Sequence, residues 1–418
     1  MENRQAIHIK IHQYLLLLIA FCLPFARLVA IFIALLLLNW LVEGDFKNKF
    51  NTIFKNKFAL LFISFYLLHL IGLLYTQNME AGLFDVQVKF SLLVFPLILA
   101  SRPVDKTGRD NIFFALIAGG IFSAFMMLTR AIFTYFSTGE ENFYYEAFSS
   151  FLIHPSYISM YLNVAISWML INLMNGGFTG KKFSNRIAVA VILFFSFIIV
   201  LLSSKMGLLT LLLIYISFLV YFIIKRKKYL LGISGIALIV LSVFLVLQLS
   251  PEIKGRVTRA ITAVTNENPD QKNAESTAVR MLVWKAANQV ISEHPLLGAG
   301  TGDAKDELMK EYENRGMTGA IEHKLNSHNE FYQVFVALGL VGFLLLLASL
   351  LLPMLFSLRK PDPIYFCFLL IVIFNFLPES MLETQAGVMF YAFFNAMLCF
   401  CNFKVNKGPV TGTAGLEN

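Results

Sequence analysis

Residues 331–356 read FYQVFVALGLVGFLLLLASLLLPMLF, a run without a single charged side chain. A helix that crosses a bilayer needs about 20 mostly apolar residues, because hydrocarbon offers its backbone no partner outside the helix. This run exceeds that length. The same criterion, applied outward in both directions, gives spans at 12–24, 27–42, 58–75, 87–101, 111–136, 156–174, 187–203, 205–224, 229–248, 329–357, 363–378 and 386–403. The 418 residues are 57% hydrophobic and 14% charged, with a mean hydropathy of +0.69, more apolar than a water-soluble domain can bury. The predicted fold is all-α, a polytopic membrane helical bundle of about twelve transmembrane helices.

The net charge of +8 does not describe a nucleic-acid surface. Basic residues gather in short clusters between apolar runs, such as Lys225-Arg226-Lys227-Lys228, which is how membrane topology is anchored. With the N-terminus inside, the inner segments hold Arg4 and Lys10; Lys47, Lys49, Lys55 and Lys57; Arg102, Lys106 and Arg109; Lys181, Lys182 and Arg186; Lys225 to Lys228; Arg359 and Lys360; Lys404 and Lys407. The opposite short loops are nearly free of Lys and Arg, and 137–155 carries Glu140, Glu141 and Glu146 instead. The expected organisation is therefore helices 1–9 in 1–248, a periplasmic loop in 249–328, helices 10–12 in 329–403 and a cytoplasmic tail in 404–418, with both termini cytoplasmic. The N-terminal apolar run is not expected to be a cleaved signal peptide, since no small-x-small site follows it; Pro24-Phe25-Ala26-Arg27 reads as a tight turn. Cys22, Cys367, Cys399 and Cys401 all lie in or beside apolar runs, so no disulfide framework is indicated.

The one long polar stretch, 249–328, contains a helical pattern. From Thr277 the apolar positions Val279, Leu282, Val283, Ala286 and Val290 follow the 3.6 period, and His294-Pro295 stops it. On the predicted topology Lys205, Arg280, His328, His154, Glu379 and Glu383 all face the outer side. Two cations and a histidine at one membrane face suit chemistry on a lipid diphosphate: cations stabilise charge on the leaving group, and a neutral imidazole accepts a hydroxyl proton. Ser327-His328-Asn329-Glu330 fits a capping box ahead of the apolar run. That spacing predicts His328 in the first helical turn, where the helix dipole disfavours the imidazolium. Spacing alone leaves each of these residues a plainer role: an interfacial histidine, a headgroup arginine at 280, a lysine at 205 that reaches for the interface.

Pro295-Leu-Leu-Gly298-Ala-Gly300-Thr-Gly302 invites comparison with a phosphate loop, but no strand precedes it and no Gly-Lys-Ser/Thr follows. A packing turn is the better expectation, with a diphosphate contact as the alternative. Asp303, Asp306 and Glu307 share a helical face but lack the Asp-x-Asp pattern that holds a cation on a diphosphate, so no metal site and no cofactor are expected; His294 and His323 are read as surface residues.

Taken together, Arg280-Met-Leu-Val-Trp284-Lys-Ala-Ala, the glycine run from Pro295 to Gly302, His328-Asn329-Glu330-Phe331 and Leu338-Gly339-Leu-Val-Gly342 resemble the signature block of the O-antigen ligase and O-antigen polymerase superfamily. The resemblance extends upstream to His154-Pro155-Ser156-Tyr157 and Ser204-Lys205-Met-Gly207, so it covers roughly the C-terminal two thirds of the chain. It implies a metal-independent, inverting membrane glycosyltransferase with a GT-C-like bundle. Such an enzyme takes a glycan from an undecaprenyl diphosphate carrier at the outer face of the bacterial inner membrane. It also implies His328 as base or acceptor-positioning group and Arg280 as a contact of the donor diphosphate. Lys205 stands where the family usually has arginine, which keeps the charge and loses the planar fork. Asn329, His154, Tyr157, Glu379 and Glu383 are supporting candidates.

The acceptor decides the activity within that family. A lipid A core sugar makes a ligase, another lipid-linked repeat a polymerase, and a protein hydroxyl an oligosaccharyltransferase. From other classes, a transporter or flippase of a lipid-linked glycan and a non-catalytic membrane subunit fit the span count. The spans read as poor in interior ionisable groups, which counts against a transport pathway.

Overall fold

A computed structural model describes residues 2–178, 183–227, 229–230, 232–237 and 277–401, with the single residues 248, 255 and 258. Among the described residues there is no strand. The helices are α1 (Glu2–Cys22), α2 (Ala26–Glu43), α3 (Phe46–Lys55), α4 (Lys57–Gly72), α5 (Met79–Lys89), α6 (Ser91–Ser101), α7 (Lys106–Thr138), α8 (Tyr145–Ser149), α9 (Pro155–Met174), α10 (Asn185–Leu202), α11 (Lys205–Arg226), α12 (Thr277–Glu293), α13 (Ala304–Asn314), α14 (Thr318–Glu322), α15 (Glu330–Arg359), α16 (Pro363–Phe376) and α17 (Gln385–Cys401).

Among the described residues nine helical segments are long and apolar enough to cross a membrane, and α16 and α17 are shorter apolar helices. The protein is an all-α, multi-pass membrane bundle. Most of the ninth expected span, 229–248, of the segment 249–276, and the tail 404–418 lie outside the described residues.

Two boundaries differ from expectation for local reasons. The short span expected at 87–101 is the second half of a longer pair, α5 and α6, which together run Met79–Ser101 and break at Phe90. The basic segment after α2 is itself helical. In α3, Lys49 and Ile53 are buried while Phe46, Phe50 and Phe54, spaced four apart, remain exposed, the pattern of a helix lying along an apolar interface.

At the centre sit α9 and α17, buried around most of their circumference, with α17 packed on α6 and α9 on α11 and α16. A helix apolar all round belongs inside a bundle. The 14 residues of α16 cover only about 21 Å, against a hydrocarbon thickness of about 30 Å. The 377–384 crossover to α17 carries Glu379 and Glu383.

The long helix α15 is broken at Gly339, whose φ of 61° and ψ of −159° are not helical. The chain from Pro295 to Gly300 fills the break. Ala299 N–H donates to the Val336 carbonyl (2.8 Å) and Gly300 N–H to Ala337 (3.0 Å); Leu340 N–H donates to the Pro295 carbonyl (2.9 Å) and Val341 N–H to Leu296 (3.4 Å). Only glycine fits at the crossing. A Cβ on Gly298 would lie 2.5 Å from the Ala337 carbonyl, and one on Gly339 would lie 2.4 Å from that of Leu296.

Candidate functional site

The site is built at one end of the bundle. Helix α12 buries Val279, Val283, Ala286, Ala287 and Val290 against Leu308 and Tyr312 of α13 and Val336 to Leu338 of α15. The buried stripe fixes the helix in rotation. Trp284 then secures its position along α15: its indole N–H donates to the Ser327 carbonyl (3.0 Å), and its ring stacks on Tyr332 at 6.0 Å. One turn back from Trp284 on the same face stands Arg280. Its guanidinium Nη2 donates to Glu379 Oε2 at 3.2 Å.

The same carboxylate oxygen lies 3.5 Å from His328 Nδ1. Arg280 and His328, from separate elements, thus meet on one glutamate of a third. All three side chains keep between 22% and 30% of their surface open, so the trio is accessible from outside. Burial pushes the Glu379 carboxyl upward, but the contact with His328 and the nearby positive charge of Arg280 outweigh it and hold the carboxyl below its ordinary value. Glu379 is therefore a carboxylate at neutral pH.

The expected capping box does not form. Asn329, not Ser327, caps α15, accepting from the N–H groups of Phe331 (2.9 Å) and Tyr332 (3.2 Å). Ser327 instead donates its N–H to Gln333 Oε1 (3.2 Å) and its hydroxyl to the Asn329 carbonyl (2.9 Å), while Glu330 turns away to accept from Leu382 N–H (2.7 Å). His328 consequently lies outside the helix, before the cap, with a left-handed φ of 45°. An Asn326 side chain that accepts from its N–H at 3.0 Å holds that turn. His328 thus stands outside the first turn where it was expected, with the Glu379 carboxylate beside it.

The six residues from Glu379 to Thr384 form a hub. Glu379 meets Arg280 and His328; Ser380 Oγ accepts from Asn329 N–H and lies 3.2 Å from the Ser327 hydroxyl; Leu382 N–H reaches Glu330. Glu383 Oε1 accepts from Lys89 Nζ at 2.8 Å, and the Thr384 hydroxyl donates to Tyr157 Oη at 2.7 Å. Tyr157 lies in the first turn of α9, next to Ser156, whose hydroxyl is 3.2 Å from that of Ser204, the cap of α11. Lys205 follows as the first residue of α11 and is exposed. His154 caps α9 through Nδ1, and its Nε2 is 3.3 Å from Glu146. Every site residue proposed from the sequence is thus at this end, on connected elements, although Asn329 and His154 serve as helix caps.

Lys89 went unrecognised in the sequence. Its side chain is buried between Asp85 and Glu383, and Asp85 lies 3.8 Å from the buried His69. Together with the fully buried Glu330, these groups correct the expectation that the spans hold few interior ionisable groups. A lysine inside the apolar run 87–101 was the available signal, since an intramembrane charge is kept only where it has a partner.

Two other stretches have local partners. The amides of residues 298–302 are all spent on protein acceptors, His294 O, Val336 O, Ala337 O, Gly72 O and Thr76 Oγ1, so these five residues form a packing turn and offer no N–H to a phosphate. Asp303 accepts from the N–H groups of Gln77 and Asn78, both at 2.7 Å, and Asp306 from the Asn78 side chain. These carboxylates bind the 76–78 turn. Glu293, His294 and Glu307 bring ligand-type atoms within 4.8 Å of one another at the surface, an arrangement common among exposed acidic groups; His294 and His323 are both exposed. The four cysteines are free.

Comparison with known proteins places the site in a family context. A family model described as O-antigen ligase matches residues 189–347, which include Lys205, Arg280 and His328 and stop short of the hub. An uncharacterized protein of Haemophilus influenzae is 31% identical over 143 residues, which is 31% of this chain and 35% of that protein. The chain thus spans about a third of the length of the curated relative it matches. The family match supports the O-antigen ligase and polymerase superfamily, whose members are membrane glycosyltransferase-like enzymes working on lipid-linked glycans.

Proposed function

We propose that this chain transfers a glycan from an undecaprenyl diphosphate carrier to a hydroxyl acceptor, without a metal ion, at the periplasmic face of the bacterial inner membrane. The observation that carries this is the shared glutamate: a base candidate, His328, and a diphosphate-binding candidate, Arg280, are held by one carboxylate at an accessible end of the bundle.

In this mechanism the guanidinium of Arg280 and the ammonium of Lys205 stabilise the charge that accumulates on the departing diphosphate. His328 takes the proton of the attacking hydroxyl through a ring nitrogen. Glu379 orients the imidazole and stabilises the imidazolium that forms, as a carboxylate behind a histidine does elsewhere. One bond forms, from acceptor oxygen to the anomeric carbon, and one breaks, from that carbon to the diphosphate oxygen.

A lipid A core sugar as acceptor gives a ligase, the reading adopted here, with an O-antigen or exopolysaccharide polymerase as the alternative. The basic clusters of the short loops support the orientation, with both termini cytoplasmic and 249–328 outside. A glycan transporter is disfavoured because the groups suited to handling donor and acceptor, Arg280, His328 and Lys205, gather at one face rather than along a path through the bundle.

The test is transfer by the purified protein in nanodiscs, given a lipid-linked oligosaccharide and either rough lipopolysaccharide or a second lipid-linked repeat, with products read by mass spectrometry. Product on lipid A core in excess EDTA and without nucleotide is expected. Loss of turnover in EDTA, restored by magnesium, would remove the metal-free clamp.

A further inference from the structure

The transferase proposal leaves Lys89 without a role, yet its placement is unusual. A lysine ammonium taken out of water costs far more than a bundle tolerates unless carboxylates surround it. Here two do, Asp85 one turn earlier on α5 and Glu383 from the far end of the sequence. They are not equivalent. Asp85 belongs to the same helix and lies beside buried His69, so the Lys89–Asp85 pair is a local matter of α5. Glu383 belongs to the hub, and Lys89 is the cation that ties it to α5.

The hub has no regular structure beyond the short 3-10 turn Met381–Glu383. Its shape is set by what its side chains and amides hold. At one end Glu379 carries Arg280 and His328; at the other Glu383 is held by Lys89 and Thr384 by Tyr157. Between them Leu382 N–H rests on Glu330, whose second oxygen, Oε1, is buried without a partner. Release of Glu383 would remove the cation that ties this segment to α5, leaving its shape to contacts such as Leu382–Glu330 and Thr384–Tyr157.

We propose that Lys89 is a positioning residue for the transfer, fixing through Glu383 the 379–384 segment and thereby the common placement of Arg280 and His328 on Glu379. Lys89 does not touch substrate. It determines where the two groups that do so stand relative to each other. This rests on the transferase reading, and the experiment separates the two.

Lys89→Met alone strands two carboxylates and is expected to fold badly. The informative variant is Lys89→Met/Asp85→Asn, which removes one charge of each sign and leaves Glu383 in place with a quarter of its side chain open to hydration. Lys89→Arg keeps the charge and can still bridge both carboxylates. Each protein is measured in nanodiscs for kcat and donor KM on the lipid-linked oligosaccharide, and for hydrogen–deuterium exchange across 379–384. The double variant should lose about 10- to 100-fold in kcat/KM, with donor KM raised as Arg280 drifts, because small misplacements of catalytic groups carry costs of that order. Its 379–384 amides should exchange faster, and Lys89→Arg should restore both.

A merely structural role would lower the active fraction and so kcat, leaving KM and the exchange of the surviving molecules as in wild type; that result overturns the proposal, as do wild-type kinetics in the double variant. A wild-type protein that moves no glycan would sink the transferase reading instead. The exchange of 379–384 would still decide whether Lys89 holds the hub.

Discussion

The two ends of this bundle are both rich in charge, and they spend it differently. At the end away from the site, Glu43 pairs with Arg102 and with Lys49 (2.9 Å), and the Glu43 and Lys49 side chains are only 6–7% exposed. Nearby Arg109 reaches Asp362 at 4.0 Å. The Glu43 pairs close elements that pack together anyway, α6 lying against both α2 and α3. At the site end the carboxylates belong to a short irregular segment; Glu383 holds the buried Lys89, while the cations on Glu379, Arg280 and His328, remain partly open. A sealed pair such as Glu43–Lys49 joins helices, whereas the open pairs on Glu379 hold two cations in a fixed geometry for something that arrives from outside.

That contrast is broken most directly at His328. His328→Ala should reduce turnover by roughly 100-fold or more while protein level and donor binding hold, the scale of a lost general base. Single-turnover rates beside donor titrations measure both quantities, and unchanged turnover would reduce the open pairs to ornament.

Arg280→Ala should weaken donor binding along with turnover, and Arg280→Lys should recover only part, since a lysine lacks the fork that grips a diphosphate. Lys205 sharpens the point: Lys205→Arg should keep activity and Lys205→Ala should lose it. Donor affinity by titration and turnover in the same preparation distinguish charge from geometry.

A smaller effect on turnover, a few-fold, is expected from Glu379→Gln, which keeps the shape and removes the charge. Its sharper signature is in pH. The Glu379 carboxyl is held below its ordinary value in the folded chain, so it stabilises the fold above the unfolded glutamate value of about 4.3 and loses that contribution as pH falls through its depressed value. Thermal melts should therefore place Glu379→Gln below wild type at neutral pH and bring the two together on the acid side. A gap that persists in acid would remove the ion pair as its cause.

At the opposite end Glu43→Gln should leave turnover per folded molecule unchanged. Its effect belongs to stability, where removing the common partner of two cations at a buried site costs about 3–5 kcal/mol. A lowered melting temperature with unaltered kcat and KM is the expected pair of results; altered kinetics would mean the two ends are coupled.

Most of the bundle could be read from the chain, because hydrocarbon imposes one rule on every span and runs such as 331–356 obey it plainly. The rotation of α12 was equally legible from its apolar stripe. The site was legible as a set of residues, and its geometry was not. Ser327-x-x-Glu330 satisfied a local capping pattern, but Gln333, Ser380 and Leu382 claimed the same atoms, two of them from residues some fifty positions away. The partners of Lys89 and Arg280 are likewise distant, Glu383 and Glu379, and no local periodicity announces such pairs.

The break in α15 bears on how the protein is made. Its Val336 and Ala337 carbonyls and its Leu340 and Val341 amides are bonded to the 295–300 segment, and each such group left bare in hydrocarbon costs several kcal/mol. During synthesis the polar segment leaves the ribosome first, and the Ala299 and Gly300 amides and the Pro295 and Leu296 carbonyls wait for α15 to follow. Insertion of that helix in its final broken form and the docking of the segment ahead of it are accordingly a single event of assembly, completed only when both have emerged.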